Sequence, residues 1–277
     1  MTTLTLEHEH ENERAHRDDL LVARSAPAPI PMSRIVAVEL RKSFDTRSGF
    51  WLLASVGILA TLATAATILF APDSEITYMT FGTAIGVPMA IILPVIAILS
   101  VTSEWSQRTG LTSFTLVPHR ARVVNAKLAV AVGVGVVSML LALGIGALGN
   151  LLGAAIVGVD PVWDVAAADL VGLLLFQIVN MLIGFMLGVL FRNSAGAIVG
   201  YFVYSFVLGT LTEVLSATQD WFERIQPWID FNYTQGSLTE MSAMTAENWA
   251  QLGVTGLVWL VLPLAVGLRA VLRSEVK

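Results

Sequence analysis

Apolar residues along this chain gather in six long runs, not in the alternating or one-faced patterns of soluble strands and helices. A helix needs about 20 mostly apolar residues to cross a hydrocarbon core of about 30 Å. Six segments meet that requirement: Phe50–Ala71, Met79–Thr102, Leu128–Gly158, Leu170–Phe191, Ala195–Leu215 and Ala250–Leu272, numbered here as spans one to six. At about 1.5 Å per residue the third would reach roughly 46 Å, so it must tilt, break or project. Gly144, Gly146, Gly149 and Gly153 point to a break. Pro88, Pro94 and Pro263 lie inside spans, where neighbouring helices can re-satisfy freed backbone groups.

The segments between the spans have patterns of their own. Residues 1–32 are rich in Glu, His and Arg and close on Ala26-Pro27-Ala28-Pro29-Ile30-Pro31, which reads as a disordered tail with a stiff linker. His8, His10 and His16 could hold a metal, but a solvated tail is the simpler reading. Ser33–Ser48 reads as an amphipathic helix capped by Ser33, with Val36, Leu40 and Phe44 on one face. Arg34, Arg41, Lys42 and Arg47 are placed to meet anionic headgroups, so this helix should lie along a membrane surface. It either anchors span one or presents a surface to a partner. Residues 103–127 are too long for a tether: Ser103 can cap a helix with Glu104 in its first turn, and Pro118 stops it. The segment Ser216–Trp249 carries Trp221, Trp228, Trp249, Phe222, Phe231 and Tyr233, an aromatic density that suggests an interfacial belt of short outer helices.

Composition fits this division. Of 277 residues, 55% are hydrophobic and 13% charged, against roughly 25% charged in soluble domains, and the mean hydropathy is +0.73. A soluble enzyme and a nucleic-acid-binding domain are excluded. Cysteine is absent, which removes disulfides, thiolate catalysis and cysteine-ligated metals. The net charge of −5 is split by side. Arg34, Arg41, Lys42, Arg47, Arg108, Arg120, Arg122, Lys127, Arg192, Arg269, Arg273 and Lys277 fall on one side of the spans. The other has Arg224 among nine carboxylates, from Asp73 to Glu247. Positive charge marks the cytoplasmic side, so both termini are expected there, in a multi-pass protein of a plasma membrane. The expected fold is all-α and integral to the membrane: six transmembrane helices, a surface helix at 33–48, a cytoplasmic helix between spans two and three, and short re-entrant outer helices, with residues 33–277 forming one transmembrane domain.

Catalytic groups are scarce in the spans. They contain no His, no HExxH motif and no base beside Ser138 or Ser205, so this chain is not expected to be an enzyme by itself. Glu213, near the outer end of span five, is the nearest approach to the mid-membrane ionisable group of a proton- or ion-driven carrier. The polar residues within the spans are the uncharged Asn150, Gln177 and Asn180, the last two on one face of span four. They could line a substrate path or hydrogen-bond neighbouring helices, and the second is favoured. Gly82/Gly86, Gly149/Gly153, Gly184/Gly188 and Gly196/Gly200 permit close helix approach without revealing whether the partner is the same chain.

Read in order, the surface helix, the six spans and the stretch Glu104…Thr109…Leu116-Val117-Pro118…Arg120…Lys127 resemble the membrane subunit of an ABC-2 type ATP-binding-cassette exporter over about residues 33–277. The Arg192-Asn193-Ser194-Ala195-Gly196 turn and the aromatic segment before span six are similar to the family's as well. His119-Arg120-Ala121-Arg122 departs from the family pattern and leaves open which arginine fills its role. The resemblance implies a permease that forms a translocation path at a dimer interface with a second permease chain, identical or not, surrounded by membrane lipids. The chain has no Walker A motif. It is therefore expected to hold no cofactor itself, ATP and Mg2+ being bound by two copies of a cytoplasmic ATPase subunit. The residues expected to couple to that ATPase are Glu104, Trp105, Arg108, Thr109, Leu111, Phe114, Pro118 and Arg120, with Trp105, Leu111 and Phe114 as apolar anchors. Asn150, Gln177 and Asn180 are the candidates for the path. A non-transporting anchor or sensor that recruits a cytoplasmic ATPase is the alternative reading.

Overall fold

The computed structural model describes residues 30–45, 47–106 and 120–273. Among these the chain is helical throughout its long elements and forms no β-strand; Thr77 and Val162 make an isolated bridge. Six helices are long and apolar enough to cross a membrane: Gly49–Phe70, Tyr78–Ser103, Ala121–Val157, Ala167–Phe191, Ser194–Thr218 and Ala246–Val271. This is the architecture of a multi-pass membrane protein. Most of the tail expected over 1–32, the helix expected between spans two and three, and residues 274–277 lie outside the described residues.

Span four is the most buried of the six and forms the axis of the packing. One apolar cluster joins it to spans one, two, three and six through Val56, Met89, Leu93, Ala131, Met181, Phe185 and Val271. A second joins spans two, four, five and six through Ile98, Ile183, Leu187, Tyr201 and Leu260. The helices approach closely where glycine allows it. A methyl group on Gly184 would stand 2.6 Å from the Pro94 carbonyl oxygen, and one on Gly188 3.3 Å from that of Ile98. The pair Gly184/Gly188 is thus the seat of span two within this same chain. Gly149 and Gly153 do the same on span three, facing Thr64, Ile76 and Phe81. Gly82 and Gly86 have open space around them.

Span three corrects one expectation. Its helix runs unbroken from Arg120 to Val157, 38 residues, or roughly 57 Å, so it projects instead of breaking. Glycine within a helix costs about 1 kcal/mol relative to alanine. At Gly149 and Gly153 that cost is offset by the packing of Phe81 and Ile76 against the bared backbone.

The N-terminal helix runs from Met32 to Asp45. Its buried residues are Ile35 and Glu39, while Leu40 and Phe44 are exposed. The apolar stripe read from the sequence therefore points away from the protein, and a face carrying a carboxylate packs inward. On the acidic side of the spans, Asp164 accepts from the backbone N–H of Met79 at 2.9 Å and so caps span two. Asp169 accepts from the N–H and hydroxyl of Ser242 at 2.8 and 3.0 Å. Between spans five and six lie helices Asp220–Ile229 and Phe231–Gly236 and a 3-10 segment, Ser237–Ala243.

The glycine contacts make a direct prediction for the folded chain in detergent. Gly184→Ala should destabilise by about 1–3 kcal/mol, the usual cost of overpacking. Gly82→Ala should be neutral or stabilising by up to about 1 kcal/mol, because only helix propensity changes there. Thermal unfolding of the two variants side by side checks this.

Candidate functional site

Proline has no N–H, so Pro94 leaves the carbonyl of Ala90, four residues earlier, without its helical donor. Tyr201 of span five replaces it: its hydroxyl donates to the Ala90 oxygen at 2.6 Å. The same hydroxyl lies 3.3 Å from Asn180 Oδ1 of span four, so one phenol joins three spans. Asn180 also donates through Nδ2 to the Phe176 carbonyl at 3.0 Å, and Gln177 Nε2 donates to the Gly86 carbonyl at 3.3 Å. Asn150 is fully buried and donates to the Val162 carbonyl at 2.9 Å, in the connection between spans three and four. All three path candidates thus hold neighbouring backbone, and Asn180 also borders an open space.

That space is a cleft of about 810 Å³ between spans two, four and five and the outer helices. The volume lies within the roughly 300–1,000 Å³ of small-molecule sites. Its lining is apolar at Val87, Ile91, Phe176 and Phe206, polar at Asn180, Tyr201 and Ser205, and acidic toward the outer side, its mouth, at Glu213, Glu223 and Asp230. Along span five its lining runs from Tyr201 to Ala217.

Local backbone geometry positions its walls. Spans five and six each carry a π-helical turn, Val203–Leu208 and Leu257–Val261, irregularities that recur at functional sites. Both are tied to the same outer connection. Asn232 Nδ2 donates to the Tyr204 carbonyl at 2.7 Å, and Trp259 Nε1 donates to the Ile229 carbonyl at 2.7 Å. The rings of Tyr204 and Trp259 stand 6.1 Å apart. Asp230 caps helix Phe231–Gly236, accepting from the N–H groups of Asn232 and Tyr233, and its other oxygen accepts from Gln226. Span five opens at the turn after Arg192, whose φ of 52° lies in the left-handed region; Asn193 accepts from the Gly196 N–H, and Ser194 meets Thr102 of span two at 2.7 Å.

At the basic side, the N-terminal helix is fastened to the head of span three. Lys127 Nζ lies 2.6 Å from one oxygen of Glu39 and also donates to the Ser100 carbonyl at 3.3 Å. Lys42 Nζ lies 2.7 Å from the other oxygen. Arg122 donates to the Ile30 carbonyl at 2.6 Å. Burial raises the Glu39 carboxyl, but the charges and hydrogen bonds of Lys127 and Lys42 outweigh this and hold it below the ordinary carboxylate range. Of the expected coupling residues, Arg108, Thr109, Leu111, Phe114 and Pro118 lie outside the described residues. Glu104 and Trp105 fall in the last turn of the helix Tyr78–Ser106, and Arg120 is the first residue of the next helix; only their backbone is described. The clamp therefore grips span three within eight residues of where that undescribed segment rejoins it.

Sequence reading missed two of these residues. Tyr201 could have been found by asking which donor replaces the one Pro94 removes. Glu39 gives no such signal, because its partner stands 88 positions away.

Breaking the clamp should be costly. Lys127→Met leaves the Glu39 carboxylate buried with half its compensation removed and should destabilise by about 3–5 kcal/mol. Because the folded-state pKa of Glu39 is depressed, its contribution is present above the ordinary carboxylate pKa and is lost as pH falls through the lowered value. Unfolding midpoints measured from neutral to acid pH should show that loss in the wild type, and Glu39→Gln should lack it.

A scan against protein-family models and a search of curated proteins both returned no match to this chain.

Proposed function

We propose that this chain is the permease subunit of an ATP-driven exporter of the ABC-2 type, working with a separate cytoplasmic ATPase and a second permease chain. The observation that carries the reading is the character of span five. It is the least apolar of the six helices and also the least buried within the chain. A helix facing only lipid should be the most apolar, since polar groups are expensive in hydrocarbon. Span five instead turns Tyr201, Ser205, Thr212, Glu213 and Ser216 to the cleft, and leaves Val199, Val203, Val207, Leu211 and Val214 exposed on its surface. One face suits a path for substrate, and the other a second copy or lipid.

The clamp at the basic side supports the same reading. In it, the N-terminal helix lies along the cytoplasmic surface, the helices between spans five and six dip into the outer leaflet, and the segment 104–120 seats in the ATPase. Glu104 and Phe114 would hold that seat, Arg122 being committed to Ile30. Closure of the ATPases would then move span three and the N-terminal helix as one body, shifting a two-state equilibrium between inward- and outward-facing forms. ATP and Mg2+ stay with the partner.

The chain has no cysteine, so single replacements report cleanly. Val207→Cys should yield a covalent dimer on oxidation in native membranes, and the tagged chain should co-purify with a Walker A ATPase. Glu104→Gln and Phe114→Ala should retain insertion while ATP-driven efflux is lost. A monomer without any ATPase would overturn the proposal. Co-purification with an ATPase that drives no efflux would favour the anchor or sensor.

A further inference from the structure

The chemistry of the cleft narrows what can occupy it. Three carboxylates line its mouth, Glu213, Glu223 and Asp230, and no lysine or arginine lines it among the described residues. None of the three has an ion-pair partner among those residues. The hydrogen bonds to Asp230 come from neutral groups, two backbone N–H and the Gln226 amide, so its charge is solvated but not cancelled. A second observation is independent of the acids. Gln235 is 3% exposed and lines the same cleft; its Nε2 donates to Asn232, while its Oε1 has no donor among the described residues. A buried acceptor left unmatched costs about 1–3 kcal/mol; a protonated amine that reached it would donate an N–H, whereas a phosphonium would gain only from the charge and the apolar lining. The walls beyond are apolar and aromatic, with Phe176, Phe206 and Tyr233 offering ring faces that attract cations.

An anion meets repulsion at this mouth, and a small hydrated cation gains nothing from the apolar lining. We propose that the cleft is a binding site for amphipathic organic cations, an ammonium or phosphonium centre held by Glu213 and Glu223 under the field of Asp230, with its apolar body against Val87, Ile91 and Phe176. This names the ligand class of the path in the exporter reading and to that extent rests on it. Binding itself needs neither ATP nor an ATPase, so the two ideas can fail separately.

The test uses two probes of the same shape and opposite charge, tetraphenylphosphonium and tetraphenylborate. The full chain is placed in zwitterionic nanodiscs, and binding is measured by equilibrium dialysis against empty discs. Saturable binding of the phosphonium is expected, with no competition from the borate. Glu213→Gln/Glu223→Gln should weaken it by about tenfold or more, as the loss of two carboxylate attractions predicts. Both glutamates are exposed, so the variant should keep its fold; each single variant should lie between. Equal competition by both ions, affinity unchanged in the double variant, or uptake no greater than by empty discs would each overturn the proposal.

Discussion

Pro94 removes a backbone donor from the middle of span two, at a depth where a membrane would supply no water to replace it. The Ala90 carbonyl must then be satisfied by another part of the chain, and the Tyr201 hydroxyl at 2.6 Å does so. Meeting that requirement fixes much else. Tyr201 must stand at one height and one rotation of span five, which sets that helix against span two. Its second contact, to Asn180, sets the height of span four. Gly184 lets span four close onto the same stretch of backbone, within contact of the Pro94 carbonyl. A proline that breaks one hydrogen bond thereby registers three helices.

The cleft follows from this arrangement. Below Tyr201 spans two, four and five are packed tightly through Ile98, Ile183 and Leu187. Above it span five leans on the outer helices through Asn232, and its π-helical turn answers the one in span six. The space left between is apolar along span two, mixed along spans four and five, and acidic at Glu213, Glu223 and Asp230. At the opposite side, Glu39 and Lys127 form a buried pair that locks the N-terminal helix to span three. A buried pair of this kind is weak evidence for stability in itself. It adds an ion pair to the packing of the N-terminal helix against the head of span three, and so makes them one body.

The spans were legible because sustained apolarity over some 20 residues has few other causes. The helix ends lie within four residues of those expected except at the start of span three, where the helix begins seven residues earlier, at Ala121. The fate of glycines was not legible. A small-xxx-small pair states that something can approach, and Gly149 and Gly184 have partners in this chain while Gly82 has none. The break expected in span three failed on this point: the glycines serve neighbours, and the helix continues. The N-terminal helix was read as amphipathic, but its buried ion pair was not foreseen, because periodicity assigns charges to solvent and is blind to a lysine waiting on another helix. Asn180 was singled out as an in-span polar residue and does border the cleft, whereas Asn150 and Gln177 bond to carbonyls whose proximity only the fold reveals.

The dependence on Pro94 can be measured as a coupling. Pro94→Ala restores an N–H to the helix, which can then bond the Ala90 carbonyl without help. Tyr201→Phe should cost about 1–3 kcal/mol in the wild-type chain, the usual penalty for orphaning a buried acceptor. In the Pro94→Ala background it should cost well under half of that. A double-mutant cycle of unfolding free energies in detergent reads this difference directly. Equal costs of Tyr201→Phe in both backgrounds would contradict the account.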